Sequence, residues 1–146
     1  MLSREMKAFA HRFIEEWNKG EAATLAAMDE MFAADFVIHS GTGEDTRSLK
    51  DFMQHVSDFF RVVPDGHVTI DDMMVEGDKL ACRWTLTGTY KTEPKDASPA
   101  NKRVTTWVIT IYRFAGGKFA ESWERYDTLG FMQQLSPVRA QMEGRK

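Results

Sequence analysis

The feature that most limits what this chain can fold into is a change of hydrophobic period at Pro64-Asp65-Gly66. Leu49, Phe52, Met53, Val56, Phe59, Phe60 and Val63 form one broad apolar stripe before it. That spacing predicts an amphipathic helix, ended by a proline that removes a backbone donor and clashes with the preceding turn. After Gly66 the period becomes two, over His67 to Val75 and again over Lys79 to Tyr90, and Glu76-Gly77-Asp78 between them reads as a tight hairpin turn. Arg103 to Phe114 and Phe119 to Asp127 flank Ala115-Gly116-Gly117-Lys118 in the same way. Two hairpins therefore follow the long helix.

Upstream, Met6, Phe9, Ala10, Phe13, Ile14 and Trp17 recur at helical spacing after Ser3, which is expected to cap the first turn, and Asn18-Lys19-Gly20 ends the segment. A shorter helix is predicted through Leu25, Met28, Met31 and Phe32, followed by the brief β-prone stretch Phe36 to His39 and a turn-rich SGTGED loop. Lys91 to Lys102, with Pro94 and Pro99, reads as a surface loop between the hairpins, and the tail from Ser136 to Lys146 is expected to fray. Helices first and strands later predict one α+β domain over residues 1–146, a cone-shaped curved antiparallel sheet with three N-terminal helices on its concave face. Where the helices do not fill such a cone, an apolar cavity opens at one end, a usual place for a small organic ligand. Val104, Thr106, Val108, Thr110, Tyr112 and Phe114 share one strand face; Thr105, Trp107, Ile109, Ile111 and Arg113 share the other. One face meets the cavity. The other meets either a second subunit, which makes the protein a homodimer, or more of the same monomer.

Composition removes several function classes. With 19 Lys and Arg scattered among 22 Asp and Glu, net charge -3, the chain has no basic stripe to neutralise phosphates, so no nucleic-acid partner is expected. No apolar run approaches the roughly 20 residues of a membrane helix, and the charged start MLSREMKAFAHRF is not a signal peptide. A cytoplasmic location without membrane association is expected. Cys82 is the one cysteine and reads as a small core residue, and His11, His39, His55 and His67 have no metal-ligand partner at useful spacing, so neither redox chemistry nor a structural zinc or other metal site is expected.

The acidic end of the last strand holds the best candidates for chemistry. Strand alternation puts Ser122, Glu124 and Tyr126 on one face and Glu121, Trp123, Arg125 and Asp127 on the other. Glu124 reads either as a proton-transfer group or as a solvated residue paired with Arg125 or Arg113; Asp127 either takes part directly or caps the helix that starts at Thr128. His39, at a strand end, either holds a ligand oxygen or is satisfied by backbone. Trp84, Trp107, Trp123 and Tyr112 offer flat surfaces to an aromatic ligand, or pack the core.

The runs PDGHVTIDDMMVEGDKLACRWTLTGTY and IYRFAGGKFAESWERYDTLGFMQQL resemble the SnoaL-like polyketide cyclase (ester cyclase) family of the nuclear transport factor 2-like superfamily. The resemblance is carried by Pro64-Asp65, Glu76-Gly77-Asp78, Arg83-Trp84, Gly88-Thr89, Tyr112-Arg113-Phe114, Gly117-Lys118, Glu121-x-Trp123 with Asp127, and Gln134-Leu135, in order from Phe36 to Leu135. It implies a cone-shaped α+β roll and an aldol-type ring closure of a polyketide-like substrate without metal or organic cofactor. One carboxylic acid in an apolar pocket would move the protons, its pKa raised by partial burial toward the working pH. In the family's pattern the acid/base aspartate falls at Glu124 and its supporting histidine at Thr110, while the family's Gly-Thr-His reads Gly88-Thr89-Tyr90. A related lyase or isomerase shares this implied chemistry. A ketosteroid-type isomerase would need a tyrosine on the first helix, and the tyrosines are Tyr90, Tyr112 and Tyr126. A non-catalytic binding protein of the same fold is the alternative.

Overall fold

A computed structural model describes residues 1–40, 44–91 and 102–135. The chain runs α1 (Ser3–Trp17), α2 (Glu21–Met31), β1 (Phe32–His39), α3 (Leu49–Val62), β2 (His67–Glu76), β3 (Lys79–Tyr90), β4 (Lys102–Ala115), β5 (Lys118–Tyr126) and α4 (Thr128–Leu135). Nearly all of the loop predicted between Lys91 and Lys102, and the tail predicted to fray from Ser136, lie outside the described residues.

The five strands form one curved, unclosed sheet in the order β1-β5-β4-β3-β2. Both hairpins form where the sequence places them. Gly116 and Gly117 have φ of 60° and 75°, the positive values that a two-residue type I′ turn requires of both central residues. A register shift between Arg113 and Phe114, opposite Glu121 and Phe119, leaves Ala120 as an extra residue in β5. Bulges of this kind bend a strand and raise its twist. The bulge also lets Phe119 and Ser122, three residues apart, both turn into the core.

Three details differ from expectation. β1 pairs with β5 in parallel, Phe32 opposite Phe119 and His39 opposite Trp123, so the sheet is mixed. It begins at Phe32, which is not a helical residue but the extended C-cap of α2, its N–H donating to the Met28 carbonyl, and lies among Phe13, Phe36, Phe52 and Phe119; burial of this aromatic cluster outweighs the helical period of the preceding residues. Ser3 is the first helical residue rather than the cap, and the Glu5 carboxylate accepts from the Leu2 N–H at 2.9 Å instead. The helix expected from Thr128 forms as α4, and the Gln134 side chain pairs with both the N–H and the carbonyl of Thr105, at 2.8 and 2.7 Å. Gln134 thus continues the hydrogen bonding of β4 beyond the end of β5.

The helices pack on the concave face. α1 runs along it, with Phe9 against Phe114 and Phe119, Phe13 against Phe32 and Phe119, and Trp17 against Phe59 and Phe60 of α3. Its end is pinned by Asn18, whose side chain accepts from the Val68 N–H at 2.8 Å and donates to the Val68 carbonyl at 2.9 Å. Two motif fragments distant in sequence also meet: Asp65 accepts from the Thr89 N–H at 2.7 Å and the Thr89 hydroxyl at 2.9 Å, which holds its carboxyl below the usual range. Beside them Gly88 lies so close under Val63 that a Cβ there would collide with its Cγ1. On the convex face Trp107, Ile109 and Ile111 remain 48%, 43% and 38% exposed.

Candidate active site

Toward the ends of α1 and α3 the helices part from the sheet and leave a cavity of about 300 Å³. Its walls are Phe13, Ile14 and Trp17 of α1, Phe52, His55, Val56 and Phe59 of α3, Val68, Trp84 and Leu86 of β2 and β3, Thr106, Val108 and Tyr112 of β4, Glu124 and Tyr126 of β5, and Phe131 of α4. Among the described residues Glu124 is the one carboxylate in this lining. A shallower groove of about 450 Å³ between α2 and α3, lined in part by Asp29, Leu49, Lys50 and Met53, brings no comparable polar group into an apolar enclosure.

Glu124 reaches the cavity because β5 regains regular alternation after its bulge: Ser122 and Glu124 turn inward, Trp123 and Arg125 outward. Both arginines that would have paired with Glu124 at the surface are engaged elsewhere. Arg113 donates to Glu121 at 2.9 Å, and Arg125 donates to the carbonyls of His39 and Ser40 at 3.3 and 2.8 Å. With no cation to offset desolvation, burial pushes the Glu124 carboxyl up to about 7. Tyr112, which shares the cavity, is held well above the usual phenol range by burial first and by the charge of Glu124 second, so it remains an O–H donor.

Thr110 stands opposite Glu124 in the ladder, is fully buried, and accepts from the indole N–H of Trp84 at 3.1 Å. This bond fixes the edge of Trp84, which lines the cavity, while Thr110 lies in the wall behind it. The other sequence candidates fall outside. Trp107 is on the convex face, and Tyr90, at the far end of β3, does not reach the lining. Trp123 stacks on His39 with ring centroids 5.4 Å apart. His39 is bracketed by Asp45 at 2.8 Å on Nδ1 and Glu121 at 2.6 Å on Nε2; these bonds raise its pKa, Glu121 first, and lower that of Glu121. They form a charged cluster on the opposite side of β5 from Glu124. Asp127 accepts from the Gly130 N–H at 2.9 Å and so caps α4.

Several lining residues were not singled out from the sequence: Phe13, Ile14, Trp17, Phe52, His55, Val56, Phe59, Thr106 and Phe131. The helical stripes identify most of them as core-facing, but no periodicity tells where helix and sheet separate. Cys82 is buried in the core, its thiol pushed up to about 11 chiefly by desolvation, which makes it a poor nucleophile. Among the described residues no group of three or more His, Cys, Asp and Glu is arranged to hold a metal, and no helix is long and apolar enough to cross a membrane.

The model of the SnoaL-like polyketide cyclase family matches residues 7–135. The chain belongs to this family. Among solved structures it is similar to AclR, a proposed hydroxylase from Streptomyces galilaeus (24% identity, TM-score 0.78, 92% of this chain and 97% of that one). It is also similar to a proposed polyketide cyclase from Bacillus cereus (27% identity, TM-score 0.71, 90% and 80%) and to TsrD from Streptomyces laurentii (23%, TM-score 0.77, 93% and 98%). No curated protein is close enough in sequence to match. The SnoaL-like assignment agrees with the mixed α+β cone, and the family motifs now have physical roles: Asp65 and Thr89 tie the turn between α3 and β2 to β3, Gly117 makes a turn, and Asp127 starts α4.

Proposed function

We propose that this SnoaL-like protein is a cofactor-free acid/base catalyst acting on a hydrophobic or aromatic, polyketide-like compound, by aldol-type cyclisation or a related lyase or isomerase step. The observation that carries the reading is a single carboxyl, Glu124, facing an apolar cavity with a pKa near 7 and a protonated Tyr112 in the same lining. As carboxylate, Glu124 takes a proton from a carbon next to a ligand carbonyl; as acid, it returns one to the product oxygen. A pKa close to the working pH makes both states available. Tyr112 supplies a donor for the charge that develops on the carbonyl oxygen. Trp84, fixed by Thr110, gives the ring system a flat wall. The exposed Trp107, Ile109 and Ile111 support a homodimer joined through the convex face.

The alternative, a binding protein without turnover, is favoured by one feature: the residue opposite Glu124 in the ladder is Thr110, a hydroxyl engaged by Trp84 rather than a base. Proton exchange separates the two readings. Incubated in D2O with an aryl β-keto ester, the protein should exchange the activated methylene above background, and Glu124→Gln should lower that rate by about 100-fold or more while still binding the ester. Equal exchange by the variant would remove Glu124 from the mechanism. Saturable binding with no exchange by either form would favour the carrier.

A further inference from the structure

We propose that His39 is a pH-dependent clamp: protonated, it ties residues 44–48 to the sheet, and neutral, it releases them through Asp45 and loosens the start of α3, one wall of the cavity. The clamp works in the same way whether the cavity catalyses or only binds. Both ring nitrogens of His39 face carboxylates, Nδ1 at 2.8 Å from Asp45 and Nε2 at 2.6 Å from Glu121. An imidazolium donates from both nitrogens, whereas a neutral imidazole has one N–H and one lone pair. Both bonds therefore exist together only in the protonated ring. They raise the pKa of His39 above its ordinary value, which puts the loss of one of them above about pH 6.5.

The bond that breaks is the one to Asp45. Glu121 is fixed from the other side by Arg113, its register partner on β4, which donates to it at 2.9 Å. The His39 ring cannot follow a departing Asp45: it stacks on Trp123, its register partner on β5, and Arg125 holds its carbonyl. Among the described residues the other partner of Asp45 is Arg47, at 3.4 Å and on the same segment, so that pair ties the segment to nothing else; Glu44 is exposed. The remaining proton stays on Nε2, at the shorter bond to the fixed carboxylate. The Nδ1 lone pair then faces the Asp45 carboxylate and repels it. Among the described residues, what still links residues 44–48 to the sheet is one backbone bridge, in which Ile38 and Thr46 exchange bonds of 2.8 and 3.1 Å. The segment leads directly into α3. Thr46 Oγ1 lies 3.5 Å from Nδ1 of His55, the Ser48 hydroxyl accepts from the Asp51 N–H at 3.1 Å, and Phe52, His55 and Val56 line the cavity. Order at Asp45 is thereby coupled to this wall.

Amide protection of Thr46 and Phe52, whose N–H groups donate to the carbonyls of Ile38 and Ser48, reports on the segment and on the start of α3. It is measured from pH 5 to 9, corrected for intrinsic exchange, alongside the imidazole 15N signals of each histidine. Wild type should lose protection at both amides by about three- to fivefold, the size of one partly exposed ion pair, with a midpoint that coincides with the titration of His39 and not of His55. Above that midpoint the neutral His39 ring should be the Nε2–H form. In Asp45→Asn the side-chain amide donates to the Nδ1 lone pair, so the contact survives deprotonation and protection should stay level. His39→Gln, which does not titrate, should give a level profile as well. No loss in wild type, a loss that tracks His55, a neutral ring of the Nδ1–H form, or an Asp45→Asn profile that falls as the wild type does overturns the clamp.

Discussion

Replacing Glu124 by Gln should stabilise the fold at neutral and alkaline pH and leave it almost unchanged in acid. The carboxyl is raised from 4.5 to about 7 by burial. A group whose folded pKa lies above its unfolded value contributes stability that is fully present below the unfolded pKa and is lost as pH rises through the folded one. The cost of ionising Glu124 in place is therefore absent below about pH 4.5, grows between there and about pH 7, and is constant above. At about 1.4 kcal/mol per pKa unit the full loss would be about 3.5 kcal/mol; since the side chain is half-buried beside a cavity that admits water, about 2 kcal/mol is the better expectation. For a chain of this length that is a difference of roughly 6–8 °C in midpoint temperature. Chemical denaturation of wild type and variant at half-unit steps from pH 4 to 9 measures it. The difference should rise across pH 4.5–7 and then stay level, with a 13C-detected Glu124 carboxyl titrating near 7 in parallel. A difference that stays flat throughout would mean that Glu124 ionises as freely as a surface carboxyl, and the case for it as a proton-transfer group at neutral pH would fail with it.

Asp127→Ala removes the cap of α4 and should cost about 1 kcal/mol, with the loss seen first as faster amide exchange in Thr128–Leu135; unchanged exchange would mean the cap is not needed. For His39 the sign is that of a base gaining partners: its pKa is raised, so its contribution is complete below about pH 6.5 and lost as pH rises through the folded value. Since its partners are partly exposed, the effect should be under about 1 kcal/mol, and His39→Gln should abolish the alkaline loss; an identical pH profile would show that the Asp45–His39–Glu121 cluster adds nothing. Ile109→Lys places a charge in the exposed convex patch and should convert a dimer to monomer by light scattering, and a wild-type protein already monomeric at high concentration would refute the dimer.

Much of the fold was legible because it depends on local chemistry. Pro64 ends α3 for want of an N–H, Gly77, Gly116 and Gly117 take the positive φ values their turns require, and alternation assigns the two faces of β3 and β4. The N-terminal half of β1 was not legible. Phe32-Ala33-Ala34-Asp35 has neither clear period, and its conformation follows from its parallel partner β5 and the aromatic cluster around Phe32.

The division within the site follows the same rule. The sequence by itself determined that Glu124 lies on the opposite face of β5 from Trp123 and Arg125, because a period of two is a property of the backbone, and left Asp127 between a direct role and a helix cap, of which the structure shows the cap just beyond the strand. It could not determine which face is enclosed, since Trp107, Ile109 and Ile111 are as apolar as Val104, Val108 and Tyr112. Only the tertiary structure decided that, by laying α1 and α3 over one face and leaving a gap at Glu124. The same packing sent the Arg113 side chain to Glu121 and that of Arg125 to backbone carbonyls, including those of His39 and of Glu124 itself, and so away from the Glu124 carboxyl. Desolvation and the loss of a counter-charge depend on what surrounds a residue, and the groups that surround Glu124 are brought together only by the fold.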